Sequence, residues 1–310
     1  MGFFLRVAFA NGMSLARLLK CSGHSEQVWL TDEQLRLLSC LADVRQPDLD
    51  PVVCRRTVQG ARREFSYLGH RWMSSDALRA RCSPVCPYCL QAAPFVRTIW
   101  GITGYCACVE HGVLLLDTCP RCARPLDWNR LAPDVCRCGC YLGSASVAPA
   151  SPDILVWSSW FRARCMGIDH PGVEDEGAMG AFGALTPDGA YQLGMALGRL
   201  SELGAQTEVV SPLKAPTVAQ VSHCLRRALA RLLEIQTADD ATRALGQYVD
   251  EPRLQRLARH GVQVCDRQAA QRWLHRLYRE RRHDDHRDGR YGPRQPRGQL
   301  ELFDDAGHLW

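Results

Sequence analysis

Ten of the chain's 16 cysteines fall within 59 residues, from Cys82 to Cys140. They come in short pairs. A Cys-x-x-Cys turn aims two sulfurs at one ion from a single bend, and a second pair from elsewhere completes a tetrahedron. Two such sets can be read. The first is Cys86-x-x-Cys89, then 18 residues, then Cys108-x-x-His111. The second is Cys119-x-x-Cys122, then 13 residues, then Cys136-x-Cys138. This is zinc-ribbon spacing. Pro87 and Pro120 each follow the first cysteine of a knuckle, and Gly112 and Gly139 follow the last ligand of each set. Thiolate with one imidazole is a soft, tetrahedral, redox-silent set, which selects zinc. Each set supplies four protein ligands and leaves no position for a catalytic water. Two structural Zn2+ ions are therefore expected.

Other uses of the cysteines fit the sequence less well. The chain shows no signal peptide, and 310 residues do not need disulfide staples. An iron–sulfur cluster would also use four cysteines, but His111 and the two-by-two spacing count against it. Three spare thiols lie beside the assigned ligands. Cys140 competes with Cys136 or Cys138. Cys106 competes with Cys108, although the x-x spacing to His111 favours Cys108.

The run CPYCL, Trp100, C-x-x-H-G-V-L-L-L, CPRC-x-x-P-L-x-W and C-x-C-G-x-x-L resembles the TniQ family, the targeting proteins of bacterial transposons. Residues that carry the resemblance include Cys86, Cys89, Trp100, Cys108, His111, Cys119, Cys122, Trp128, Cys136 and Cys138. It extends to the opening segment, L-x-R-x-A-x-A-N-G-x-S-L, and covers roughly residues 1–145. In the family a proline- and glutamate-containing segment precedes that first helix; here the sequence starts inside the pattern. The resemblance implies a non-catalytic protein that marks an insertion site and hands it to an AAA+ ATPase regulator, which recruits the transposase. It also implies a DNA target, read directly in some systems and on a CRISPR effector complex with its guide RNA in others. Members can form homodimers.

The elements that must position these ligands are mainly α with small β. Residues 1–80 read as an N-terminal helical, helix-turn-helix-like segment. Phe4, Leu5, Ala8 and Phe9 share a face, Asn11-Gly12 breaks the chain, and Ser14 caps the next helix. Thr31 with Gln34 forms a capping box. Residues 45–60 read as a connection, and 61–73, with aromatics among arginines, as a loop anchored on a core. Residues 81–145 are the tandem zinc ribbons, with Phe95, Val96, Ile99 and Trp100 expected in hairpin strands. Val113 to Leu116 is too apolar for a solvated loop. The Ser/Ala/Pro run at 143–153 reads as a linker.

Residues 146–280 read as a C-terminal helical domain, with helices over 153–166, from Pro187 to about Leu203, over 217–235, and from a Thr237/Asp240 cap to Val249. Residues 251–282 read as helix, Gly261 turn, helix, with Asp266 as the cap of the second. Arg267, Arg272, Arg276 and Arg279 surround its apolar stripe and are candidate nucleic-acid contacts, as on a recognition helix. Residues 281–310 read as a disordered basic tail ending in an apolar motif of Leu300, Leu302, Phe303, Leu309 and Trp310.

Net charge is +5, and nearly all the basic residues are arginine. That bias fits phosphate contact and equally a GC-rich genome. No apolar run approaches a membrane span, and dense reduced thiols fit a cytoplasmic protein. No P-loop, HExxH or acidic catalytic triad is present, and Cys224 beside His223 points away from it on a helix. The leading function is therefore a transposition targeting adaptor. The alternative is a stand-alone zinc-ribbon and helix-turn-helix DNA-binding regulator.

Overall fold

The computed structural model describes residues 1–21, 30–59, 62–79, 81–168, 177–198, 216–237 and 249–287. The fold is mainly helical with two small sheets. The expected helix from Thr237 to Val249 and the terminal apolar motif lie outside the described residues.

Two cores organise the chain. The first is built from α1 (Gly2–Ala10), α2 (Leu15–Cys21) and α3 (Asp32–Leu41). Phe4, Leu5, Ala8, Leu15, Leu18, Leu35 and Leu38 bury there, because they recur every three or four residues along their helices. Phe9, expected on the same face, is exposed: it lies one step round the helix from Ala8. Local signals set the boundaries. The Ser14 hydroxyl accepts from Arg17 N–H at 3.2 Å. Thr31 and Gln34 close a reciprocal box at 3.2 and 3.0 Å.

The segment expected as connection and loop forms structure. It contains α4 (Gln46–Leu49) and a three-stranded antiparallel sheet of β1 (Arg55–Gln59), β2 (Arg62–Tyr67) and β3 (His70–Trp72). Phe65 pairs with Trp72 and with Arg56 across it. Charged residues on the alternate positions hid the pattern: one face carries Phe65, Tyr67 and Trp72, all buried, and the other is largely arginine and glutamate.

The second core runs from Phe65 to Ala270, so residues on both sides of 143–153 share it. Its centre is α6 (Pro152–Met166), where Trp157, Trp160 and Phe161 are fully buried against one another and both tryptophans pack with Phe182. The Trp157 indole donates to the Gly104 carbonyl at 2.9 Å, joining this helix to the cysteine-rich segment. α7 (Pro187–Gly198) is buried all round between α8 (Val218–Thr237) and α9 (Glu251–His260). The Thr186 hydroxyl caps α7 by accepting from Gly189 N–H at 3.0 Å. Trp128 packs against both cores, and Arg6 of α1 reaches the Phe95 ring at 5.7 Å beside the second.

α10 (Val264–Arg287) follows the Gly261 turn, as expected, but Asp266 is its third residue and not its N-cap. It lies in the first turn, wholly buried, and accepts from Thr186 N–H at 3.0 Å and the Thr186 hydroxyl at 2.7 Å. The same carboxylate accepts from Gln263 N–H at 3.3 Å, so it serves the start of its own helix and also fastens α10 to the start of α7.

Candidate metal centres

The first centre is assembled from a helix start and a hairpin. Cys86 precedes α5 (Pro87–Ala92) as its N-cap residue, and Cys89 sits in its first turn. Pro87 suits that position because its missing N–H would lack a partner there anyway. Cys108 ends β4 (Ala107–Cys108), which pairs with β5 (Val113–Leu114). Gly112 closes the turn between them, donating to the Cys108 carbonyl at 2.8 Å with φ +67°, a conformation that glycine adopts without strain. His111 is carried on that turn. The 95–100 segment, expected as hairpin strand, forms a 3₁₀ turn over Thr98–Gly101. Ile99 and Trp100 are adjacent and both buried, which an alternating strand facing one core cannot achieve.

The donor atoms converge. His111 Nδ1 lies 3.6, 3.3 and 3.5 Å from the sulfurs of Cys86, Cys89 and Cys108, and Cys89 and Cys108 sulfurs are 3.6 Å apart. With metal–sulfur bonds of about 2.3 Å and metal–nitrogen bonds of about 2.0 Å, a tetrahedral ion requires edges of roughly 3.5 Å to nitrogen and roughly 3.8 Å between sulfurs. The donor set fits that requirement. The Cys108 thiol is pulled down to about 5, chiefly by its hydrogen bond with Cys86, with His111 assisting. The same hydrogen bond pushes the Cys86 thiol up and burial raises that of Cys89, so the lowered value belongs to the cluster and not to one sulfur.

Groups the sequence did not single out surround this centre. Glu110 lies 3.8 Å from the Cys89 sulfur and is ion-paired with Arg97 and, at 3.4 Å, with Arg162 of α6. The Arg97 hydrogen bond holds the Glu110 carboxyl below its ordinary range. The Tyr88 ring covers the His111 imidazole at 5.5 Å. Adjacency to His111 is the one signal that could have marked Glu110; Arg162 is distant in sequence.

The second centre is built from two tight turns. Cys119 N–H donates to the Arg124 carbonyl at 2.9 Å and Ala123 N–H to the Cys119 carbonyl at 2.9 Å, which folds the first knuckle back on itself. Cys136 and Cys140 close the other turn at 2.9 Å, with Gly139 at φ +81° donating to the Cys136 carbonyl at 2.8 Å. Cys119 and Cys138 sulfurs lie 3.7 Å apart, and those of Cys122 and Cys136 3.9 Å, again tetrahedral edges. Burial pushes the Cys119 thiol up, but N–H groups of Cys122 and Arg121 outweigh it and the thiol falls to about 6.

Among the described residues, these two groups of four are the ones whose donors come within 4.8 Å of one another. Cys82, Cys106 and Cys140 are not members. Cys106 is wholly buried, and burial pushes its thiol up to about 12. The Cys140 thiol turns to the Tyr141 carbonyl at 3.7 Å.

The four candidate arginines of α10 differ in setting. Arg267 donates to the Gly261 carbonyl at 2.7 Å and so ties the helix to its own turn. Arg276 stacks on the Trp273 ring at 5.8 Å. Arg272 and Arg279 are exposed. None of the described helices is long and apolar enough to cross a membrane.

Residues 1–115 match the TniQ family model, and over that stretch the chain carries a TniQ domain. The match ends just past His111, so it takes in the whole first centre and stops short of the second. No curated protein matches the chain.

Proposed function

We propose that this chain is a non-catalytic targeting adaptor of transposition. The TniQ domain makes it a transposition-associated protein; the adaptor role is the finer reading. The observation that carries it is that the TniQ match coincides with a closed four-donor centre and its supporting helices. A closed centre orders a surface and leaves no ligand position for substrate. Cys86, Cys89, Cys108 and His111 would hold one Zn2+, and Cys119, Cys122, Cys136 and Cys138 the other. The ions would supply folding free energy, on the order of 10 kcal/mol per site. The ordered surface would then engage a transposon AAA+ ATPase regulator, with the target DNA reached directly or on a CRISPR effector complex and its guide RNA.

The stand-alone regulator is supported by one feature, the α9–α10 pair with Arg272, Arg276 and Arg279 on its second helix. One experiment separates the readings. The full chain is mixed with a transposon AAA+ ATPase regulator and with candidate target duplex, and complexes are resolved by size-exclusion chromatography. Co-elution with the ATPase is expected. Sequence-specific DNA binding with no ATPase association would favour the regulator and sink the adaptor.

A further inference from the structure

The second ribbon sorts its arginines into two kinds. Arg130 is buried, donates to the Ser83 carbonyl at 3.2 Å, and lies in the field of Asp127 and Asp134. Arg121, Arg124 and Arg137 are exposed and make no ion pair among the described residues. They are also concentrated at one place. Arg121 and Arg137 are each one residue from ligands of the same four-sulfur centre, and the Arg124 carbonyl closes the Cys119 knuckle. Nearby acids are turned elsewhere. Asp117 accepts from Val218 N–H at the start of α8, and Asp127 caps the Asn129 turn at 3.0 Å. The knuckles therefore present three guanidinium forks that no carboxylate among the described residues pairs with.

We infer that this outer edge of the second ribbon contacts the phosphates of duplex DNA, as a surface separate from α10. Guanidinium forks match phosphate oxygens, and turns fixed by a metal centre lose little freedom on binding. The contacts would carry no sequence information and would set position along the duplex. This inference rests on the DNA-reaching part of the proposed function and adds the surface that does the reaching.

The test is fluorescence anisotropy of the full chain with a labelled 30-bp mixed-sequence duplex over a salt series, with zinc counted in every sample. Three proteins are compared: wild type, R121Q/R124Q/R137Q, and R272Q/R276Q/R279Q. The ribbon variant is expected to keep its zinc, to bind at least about tenfold more weakly, and to lower the log–log salt slope by about 2–3, near 0.9 per lost phosphate. Arg→Lys at the same three positions should restore most of the slope, since charge is the requirement. An unchanged slope in the ribbon variant, with the α10 variant weakened, overturns the inference and leaves the function reading intact. Zinc lost from the ribbon variant overturns it too, since the arginines would then serve to offset the thiolate charge. A wild-type chain that binds no duplex overturns the inference together with direct DNA reading.

Discussion

His111 sits on a turn whose geometry depends on the glycine after it, and its Nδ1 faces three sulfurs at 3.3 to 3.6 Å. If these four residues hold one ion, His111→Ala should lower zinc from two atoms per chain to one, counted by native mass spectrometry. A variant that keeps both would break the ligand assignment. Asp188 gives a second residue-scale prediction. It is wholly buried in α7, accepts from Met73 N–H at 2.9 Å, and burial raises its carboxyl to about 7. An unfolded aspartate ionises near its ordinary value of 3.8. Between those values the folded chain holds the extra proton, so this group's contribution is full at low pH and is lost as pH rises toward 7. Asp188→Asn keeps an acceptor for Met73 and removes the titration. The thermal midpoint of wild type should therefore fall relative to Asp188→Asn between pH 4 and 7, by the equivalent of about 2–4 kcal/mol. A constant difference between the two would refute the assignment. The ligands were legible in the sequence because knuckle spacing is local. Asp188, with its partner 115 residues away, was not.

At the scale of elements, α7 shows what close packing demands. A Cβ placed on Gly198 would stand 1.8 Å from the Cys224 carbonyl oxygen of α8. Gly198→Ala must push the two helices apart and should cost about 1–3 kcal/mol or more in urea unfolding; a cost below a few tenths would mean that α7 and α8 do not meet there. A polar node fixes the same helix from the other side. Arg253 of α9 donates to Gln192 at 2.8 Å, pairs with Asp76, and lies over the Tyr191 ring at 5.5 Å. Arg253→Met should cost about 2–3 kcal/mol, since it strands buried acceptors. Helix starts were readable because caps act within four residues, as at Ser14 and Thr31. The three-stranded sheet was not, because half its residues are charged and its burial depends on a core assembled from the far end of the chain. The 3₁₀ turn at Thr98–Gly101 was misread for a related reason: β-branched content favours strand, but two adjacent residues had to face one core.

For the whole molecule, the second core joins the ribbons to α6, α7, α8 and α9 without interruption. Metal removal should therefore be felt far from the metal. Stripping zinc with a chelator is expected to lower the thermal midpoint of the entire chain in one transition and to change the fluorescence of Trp157 and Trp160. Two separate transitions would show that the ribbons fold by themselves. Trp128, touching both cores, extends the same coupling to α1–α3. The mainly helical class was legible from periodicity; the continuity of the core across 143–153 was not, since a Ser/Ala/Pro run looks alike whether its flanks separate or meet. The central claim, that this chain directs transposition without performing chemistry, is tested most directly by mapping insertions genome-wide with the transposase and ATPase present, with and without the chain. Insertions gathered at one site in its presence, and lost or scattered without it, are the predicted result. The same distribution and frequency in both would contradict the account.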